Sequence, residues 1–278
     1  MPINILGNLL TNPSRSGAYV APTLWTPAVL NDSLWFNPID ALPDGSSWTD
    51  RNLGYVVTQP TAANRPTVEV SGLSGTPSLR FGEGGSNKFL STPTRNISIF
   101  NGSPGLSVFA VNQYEAFNPG VTQRAIYLSD GIGNYAKFFT IVGSNSFQLA
   151  GKRADAESLS FSIVDPSINN PGDTFILGAT HDYVNRAGTS FRNGVQAANS
   201  PTQFSAGTSD SPNVLLFLGN VNGSPTNSLI GRMGHIVIMP RVPSLVERQK
   251  LEGFLAWNSN LSSLLQVTHP YKNTPPTV

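Results

Sequence analysis

The chain has no cysteine among its 278 residues, which excludes disulfides, thiolate metal sites and a thiol nucleophile. Charge is nearly as scarce: charged residues make up 12% of the chain, about half of the roughly 25% usual in globular domains. The polar surface is therefore expected to be built from Ser, Thr, Asn and Gln. The formal net charge is +1 and the basic residues are scattered, so there is no broad electropositive field to hold nucleic acid. No segment approaches the roughly 20 apolar residues that span a bilayer. The opening "MPINILGNLLTNPSRSG" lacks a basic region followed by an unbroken apolar stretch, so neither a conventional secretion signal nor a membrane helix is expected.

Catalytic groups are sparse as well. Six Glu and ten Asp are spread along the chain, without the Glu-x-Asp-x-x-Glu run by which sandwich-fold glycoside hydrolases place two carboxylates on one strand. The nearest acid pair, Asp155 and Glu157 in "RADAES", reads as a solvated turn. His181, His235 and His269 lie far apart in different contexts, and no Gly-x-Ser-x-Gly elbow occurs. Asp130, Asp173 and Asp182 fall in loops or strand ends, where turn chemistry explains them without calcium. These absences predict a protein that is not an enzyme and carries neither metal nor cofactor.

What is present is strand. From about residue 53 to 239 short β-type runs follow one another: "LGYVVT", "GLSVFAVN", "AIYLS", "KFFTIV", "SLSFSIV", "TFILGAT", "VLLFLG" and "GHIVIM". "SLSFSIV" alternates, with Leu159, Phe161 and Ile163 on one face and Ser158, Ser160 and Ser162 on the other. Between the runs sit "PDGSS", "SGLSGTP", "GEGGSN", "NNPGD" and "VNGSP", rich in residues that tolerate positive φ or preset a turn. Many short strands without intervening helices predict an all-β, two-sheet antiparallel jelly-roll sandwich.

One helix is signalled near residues 244–257, where Ser244 and Glu247 have capping-box spacing and Leu251, Phe254 and Leu255 share a face. Gly253 in its interior implies close packing at that point. The chain then divides into an N-terminal extended arm (1–34), a jelly-roll domain (35–265) and a Pro-rich C-terminal tail (266–278). The arm has no sustained period. It either covers its own domain or docks on a neighbouring subunit through Leu9, Leu10, Tyr19 and Trp25.

Three stretches carry a resemblance. "WTDRNLGYVVTQPTAANRPTVEVSGLSGTPSLRFGEGGSNKFL", "FILGATHDYVNRAGTSFRNGVQAA" and "IGRMGHIVIMPRVPSLVERQKLEGFLAWNSNLSSLLQVTHPY" together resemble the concanavalin A-like (laminin G-like) jelly rolls of bacteriophage virion proteins and bacterial surface proteins. The likeness runs roughly from Trp48 to Pro276. It departs from the family at Asn258–Leu261, where Lys-Trp-Gly-Leu is usual, and at Phe81, Gly82 and Glu83, where Phe-Asp-Gly is common. The resemblance implies a virion structural protein made in the bacterial cytoplasm, such as a capsid decoration protein or a short tail or baseplate component. Its partners would be other virion subunits and further copies of itself. The alternative is a lectin-like module for host or environmental polysaccharide, with Trp48, Tyr114 and Tyr183 as stacking surfaces for a glycan.

Overall fold

The computed structural model describes residues 23–82, 87–94, 96–116, 123–129, 136–142, 146–154, 157, 160–165, 170–201, 205–210, 213–220 and 227–278. Its strands are β1 (Leu34–Ala41), β2 (Ser47–Asp50), β3 (Val56–Thr58), β4 (Thr67–Leu73), β5 (Thr76–Phe81) and β6 (Leu90–Ser91). Then come β7 (Gly105–Tyr114), β8 (Gln123–Ser129), β9 (Ala136–Val142), β10 (Ser146–Gly151) and β11 (Ser160–Asp165). The chain continues through β12 (Thr174–Asp182), β13 (Ala187–Arg192), β14 (Val195–Pro201), β15 (Leu215–Leu218) and β16 (Gly231–Met239) to helix α1 (Leu245–Asn258).

Neighbouring strands pair antiparallel in one long path, β11-β10-β9-β8-β15-β6-β3-β2-β1-β16-β7-β12-β13-β14, with the β4–β5 hairpin joined to β16 through β5. The path folds over on itself, bringing β10 across from β12 and β11 beside β13 and β14. Two layers result. Between them lie Phe36, Val108, Leu177 and Ile236 from one layer and Ile126, Leu149, Leu216 and Leu218 from the other. This is the expected two-sheet sandwich.

The central strands read as near-continuous apolar runs because both of their faces are covered. On β7, Leu106, Val108 and Ala110 enter the sandwich core, while Phe109 and Val111 point to a second cluster shared with α1. In β16 the alternation is interrupted. Met233 pairs with Asn112 and Ile236 with Ala110, one residue too many, yet both side chains reach the sandwich core. The resulting bulge sends His235 to the helix side, stacked 6.4 Å from Trp35 and edge-on 5.3 Å from Phe254. The strand over Ser160–Asp165 is present, whereas the side chains of the "SLSFSIV" alternation lie outside the described residues.

Burial, with a smaller contribution from the Arg51 guanidinium, pushes the His235 imidazole down to about 4, while Asp40 acts the other way. The folded pKa is below the unfolded value of 6.5, so stability is complete above about pH 6.5. It falls as the pH drops towards 4, because only the unfolded chain takes up the proton readily. The loss approaches roughly 3 kcal/mol. Thermal unfolding across this range should show a shallower pH dependence in His235→Phe than in the wild type. Equal slopes would mean that His235 is not the group responsible.

The helix begins as its spacing predicts. Ser244 accepts from the Glu247 amide, the Glu247 carboxylate accepts from the Ser244 amide, and both halves of the capping box are made. Leu251, Phe254 and Leu255 are buried in the helix-side cluster. At Gly253 a Cβ would meet the Tyr271 side chain at 2.7 Å, so glycine lets the tail lie against the helix.

Of the expected arms, residues 23–34 and the C-terminal tail are described, and both lie against the domain. Trp25 is buried edge-on against Phe254 at 6.3 Å, so this anchor is seated on its own domain and is not a projecting contact for a neighbour. Its amide donates to the Pro276 carbonyl at 2.9 Å, and the Val278 amide donates to the Thr23 carbonyl at 3.0 Å. The tail is not an extended strand either. The Trp257 indole donates to the Tyr271 carbonyl at 2.9 Å, and the His269 ring lies 3.3 Å from buried Glu252. Proline had suggested extension; the indole and imidazole contacts hold the segment as turns on the helix. Leu9, Leu10 and Tyr19 lie outside the described residues.

Candidate recognition face

The three aromatic residues expected to meet a glycan are core residues. Trp48, Tyr114 and Tyr183 are each 0% exposed. The Trp48 indole donates to the Asn37 carbonyl at 2.7 Å and sits edge-on to Phe36. Burial pushes the Tyr114 and Tyr183 phenols above their ordinary range. None presents a ring to solvent, which corrects the stacking expectation: strand register turns Trp48 and Tyr114 inward, and the turn after β12 buries Tyr183 in the same core. On the outer face of the second layer, Tyr127 and Phe217 pack together at 6.1 Å with Phe89 beside them, and both are 8% exposed.

Acids and histidines are likewise structural where they are described. Glu157 is not a solvated turn residue. Its carboxylate accepts from Arg153 at 2.6 Å and from the Ser205 amide at 2.9 Å, fixing two loops together. His181 lies in β12, His235 on the β16 bulge and His269 against α1. Among the described residues, no three His, Asp or Glu side chains gather as a metal site. No helix among them is long and apolar enough to cross a membrane.

A different surface arises from a fork in the sheet. One edge of β16 is shared end to end: Gly231–Met233 pair with β5, and Ile236–Ile238 pair with β1. Beyond Phe36 the register of β1 shifts, and Pro38 has no amide hydrogen to continue a ladder. β1 and the β4–β5 hairpin therefore diverge. Between them opens a cleft of about 220 Å³, lined mainly by Pro38, Ile39, Pro43, Val68, Val70 and Pro77. Ile39 is 67% exposed and Val70 82%. Among the described residues β4 pairs only with β5.

On the face of β4 opposite Val68, Glu69 joins an ion-pair network across β4, β5, β16 and β7. The Arg232 guanidinium grips Glu69 through two nitrogens, at 2.5 and 3.2 Å. Its remaining Nη1 donates to the Glu115 carboxylate and, at 2.7 Å, to the Gln113 carbonyl oxygen. Arg80 closes the network on Glu115 at 3.0 and 3.1 Å. Hydrogen bonding to Glu69 leads the causes that raise Arg232 above its ordinary pKa. The Gln113 amide nitrogen is used by the Gly172 carbonyl at 2.8 Å, which fixes its oxygen towards Arg232. Planar groups held this way lose little freedom when a ligand arrives.

Sequence reading missed these residues because no local motif joins them; Glu69 and Arg232 are 163 positions apart. A signal was present in alternation. "SLRF" and "GRMG" set Arg80 and Arg232 opposite the apolar Leu79, Phe81 and Met233, marking a charged outer face on a strand with a buried inner one.

No protein-family model and no curated protein matches the sequence. Among solved structures, the binding domain of Paraclostridial Mosquitocidal Protein 1 is similar with a TM-score of 0.58 at 11% identity, over 81% of this chain and 52% of that one. Trypanosoma rangeli sialidase in complex with the inhibitor DANA is similar with a TM-score of 0.54 at 16% identity, over 79% of this chain and 32% of that one. The chain thus spans about half and about a third of those two chains. The Ruminococcus gnavus sialidase CBM40 bound to alpha2,3 sialyllactose has a TM-score of 0.43 at 14% identity, over 52% of this chain and 80% of that one. At such identities the likeness establishes the fold, a β-sandwich of the kind the sequence resemblance implied.

Proposed function

We propose that this protein is a non-enzymatic recognition module that binds glycan on the β4–β5 face. The observation that carries the reading is the apolar cleft at the fork between β1 and the β4–β5 hairpin, with Ile39 and Val70 exposed on its walls. A pyranose has one face of C–H bonds and a rim of hydroxyls, so it needs an apolar wall beside converging polar groups. Ile39, Val70 and Pro77 supply the wall, and the backbone groups along the edge of β4 turned away from β5 supply the polar rim. That one neighbour on this fold is itself a binding domain is in keeping with the proposal. A glycan array probed with wild-type protein and Ile39→Asp tests it. Binding by the wild type, weakened at least about tenfold in the variant, is expected; binding to no glycan would sink the reading.

A second reading, the virion structural subunit contacting capsid or tail proteins and further copies of itself, draws on the sequence resemblance. Exposed Ile39 and Val70 would serve as its contact surface. Co-purification with intact phage particles at a fixed copy number would favour it over the glycan module.

A further inference from the structure

We infer that the cleft between β1 and the β4–β5 hairpin reads a methyl group on its sugar, carried by a deoxy ring substituent or by an acyl group; this rests on the glycan reading of that cleft. An aromatic ring would offer a flat apolar face for a pyranose to stack on, but among the described residues none lines this cleft. The lining side chains include no hydroxyl and no amide. They are proline and aliphatic residues, with Glu69 as the one ionisable member. The Glu69 carboxylate is bound by Arg232 on the face of β4 opposite Val68, so the walls themselves meet a sugar with apolar groups.

Walls of this kind discriminate by size and polarity. The open edge of β4 can bond sugar hydroxyls through its backbone, yet every sugar has hydroxyls to offer. Identity therefore falls to the substituent pressed against Ile39, Val70 and Pro77. A hydroxyl placed there gives up water without gaining a partner, which opposes binding. A methyl gains by leaving water and covers the apolar surface that Ile39 and Val70 expose. Volume points the same way. The cleft measures about 220 Å³, below the roughly 300 to 1,000 Å³ of sites that enclose drug-sized ligands, so it takes one ring and its substituent and not a length of polysaccharide. Pro38, Pro43 and Pro77 stiffen the walls, because each ring fixes its own φ.

The test titrates the full chain with two matched pairs of sugars. L-Fucose and L-galactose differ by a methyl against a hydroxymethyl group; N-acetylglucosamine and N-formylglucosamine differ by one methyl. In at least one pair the methyl-bearing member is expected to bind about tenfold more tightly, the discrimination that one such group gives in an apolar pocket. The pair that shows it tells a deoxy substituent from an acyl group. Val70→Thr exchanges a methyl for a hydroxyl at constant shape in an exposed position, and it should narrow the preference about threefold or more with an unchanged thermal midpoint. Equal affinities within both pairs, tighter binding of the hydroxymethyl or formyl member, or a preference untouched by Val70→Thr would overturn the inference and leave the glycan reading intact. So would binding to none of the four sugars by a protein that binds another glycan on the array. Binding to no glycan at all would overturn both.

Discussion

Phe254→Ala is expected to destabilise the protein by about 3 to 5 kcal/mol, the range for large-to-small changes at fully packed aromatic sites. Phe254 is 3% exposed and meets three rings: Trp25 at 6.3 Å, Trp35 at 5.5 Å and His235 at 5.3 Å. Its loss opens a cavity where the helix, the sheet and the N-terminal segment meet, and it removes edge-to-face contacts worth about 0.5 to 1.5 kcal/mol each beyond area burial. The change should also loosen Trp25 and, with it, the pairing of residues 23–25 with the C-terminus. Chemical denaturation gives the first quantity, and amide exchange at Trp25 and Val278 gives the second. A loss below about 0.5 kcal/mol would place the helix outside the cooperative core.

Asp50→Ala should be similarly damaging, at about 3 to 5 kcal/mol, for a polar reason. The carboxylate is 1% exposed. One oxygen accepts from the Trp35 amide and from the Asn52 amide at 3.2 Å; the other accepts from the Leu53 amide at 2.8 Å. A single buried side chain therefore fixes the turn between β2 and β3 and ties it to β1. Hydrogen bonds to a charged group contribute about 1.5 to 3 kcal/mol each, and their removal leaves amides without partners. Asn52 extends the effect, since its side-chain amide donates to the carbonyls of Pro27 and Leu30, both at 3.0 Å. Asp50→Asn keeps one acceptor and should lose less than Asp50→Ala. Equal losses in the two variants would mean that the carboxylate's hydrogen bonds are not what holds this turn.

The parts legible in the sequence are those set by local spacing. Ser244 and Glu247 stand three residues apart, so the capping box could be read directly, and the glycine in α1 announced the close approach of Tyr271. The strands of β7, β12 and β16 were legible because covering both faces demands long apolar runs. What depends on which residue faces which could not be read. Trp48, Tyr114 and Tyr183 have the composition of a stacking platform, but strand register for the first two and the turn after β12 for the third place them inside. Conversely, Glu69, Arg80, Glu115 and Arg232 look unrelated along the chain and converge only when β4, β5, β16 and β7 lie side by side. The tail was misjudged because its prolines were weighed without Trp257, whose indole hydrogen bond bends it back.

The most direct test of glycan recognition on the β4–β5 face is an amide chemical-shift map recorded while a neutral oligosaccharide is titrated into isotopically labelled protein. The account predicts saturable shifts concentrated in residues 37–43 and 67–77, the segments that line the cleft. Shifts confined instead to the outer face of the second layer, around Phe89, Tyr127 and Phe217, would contradict it.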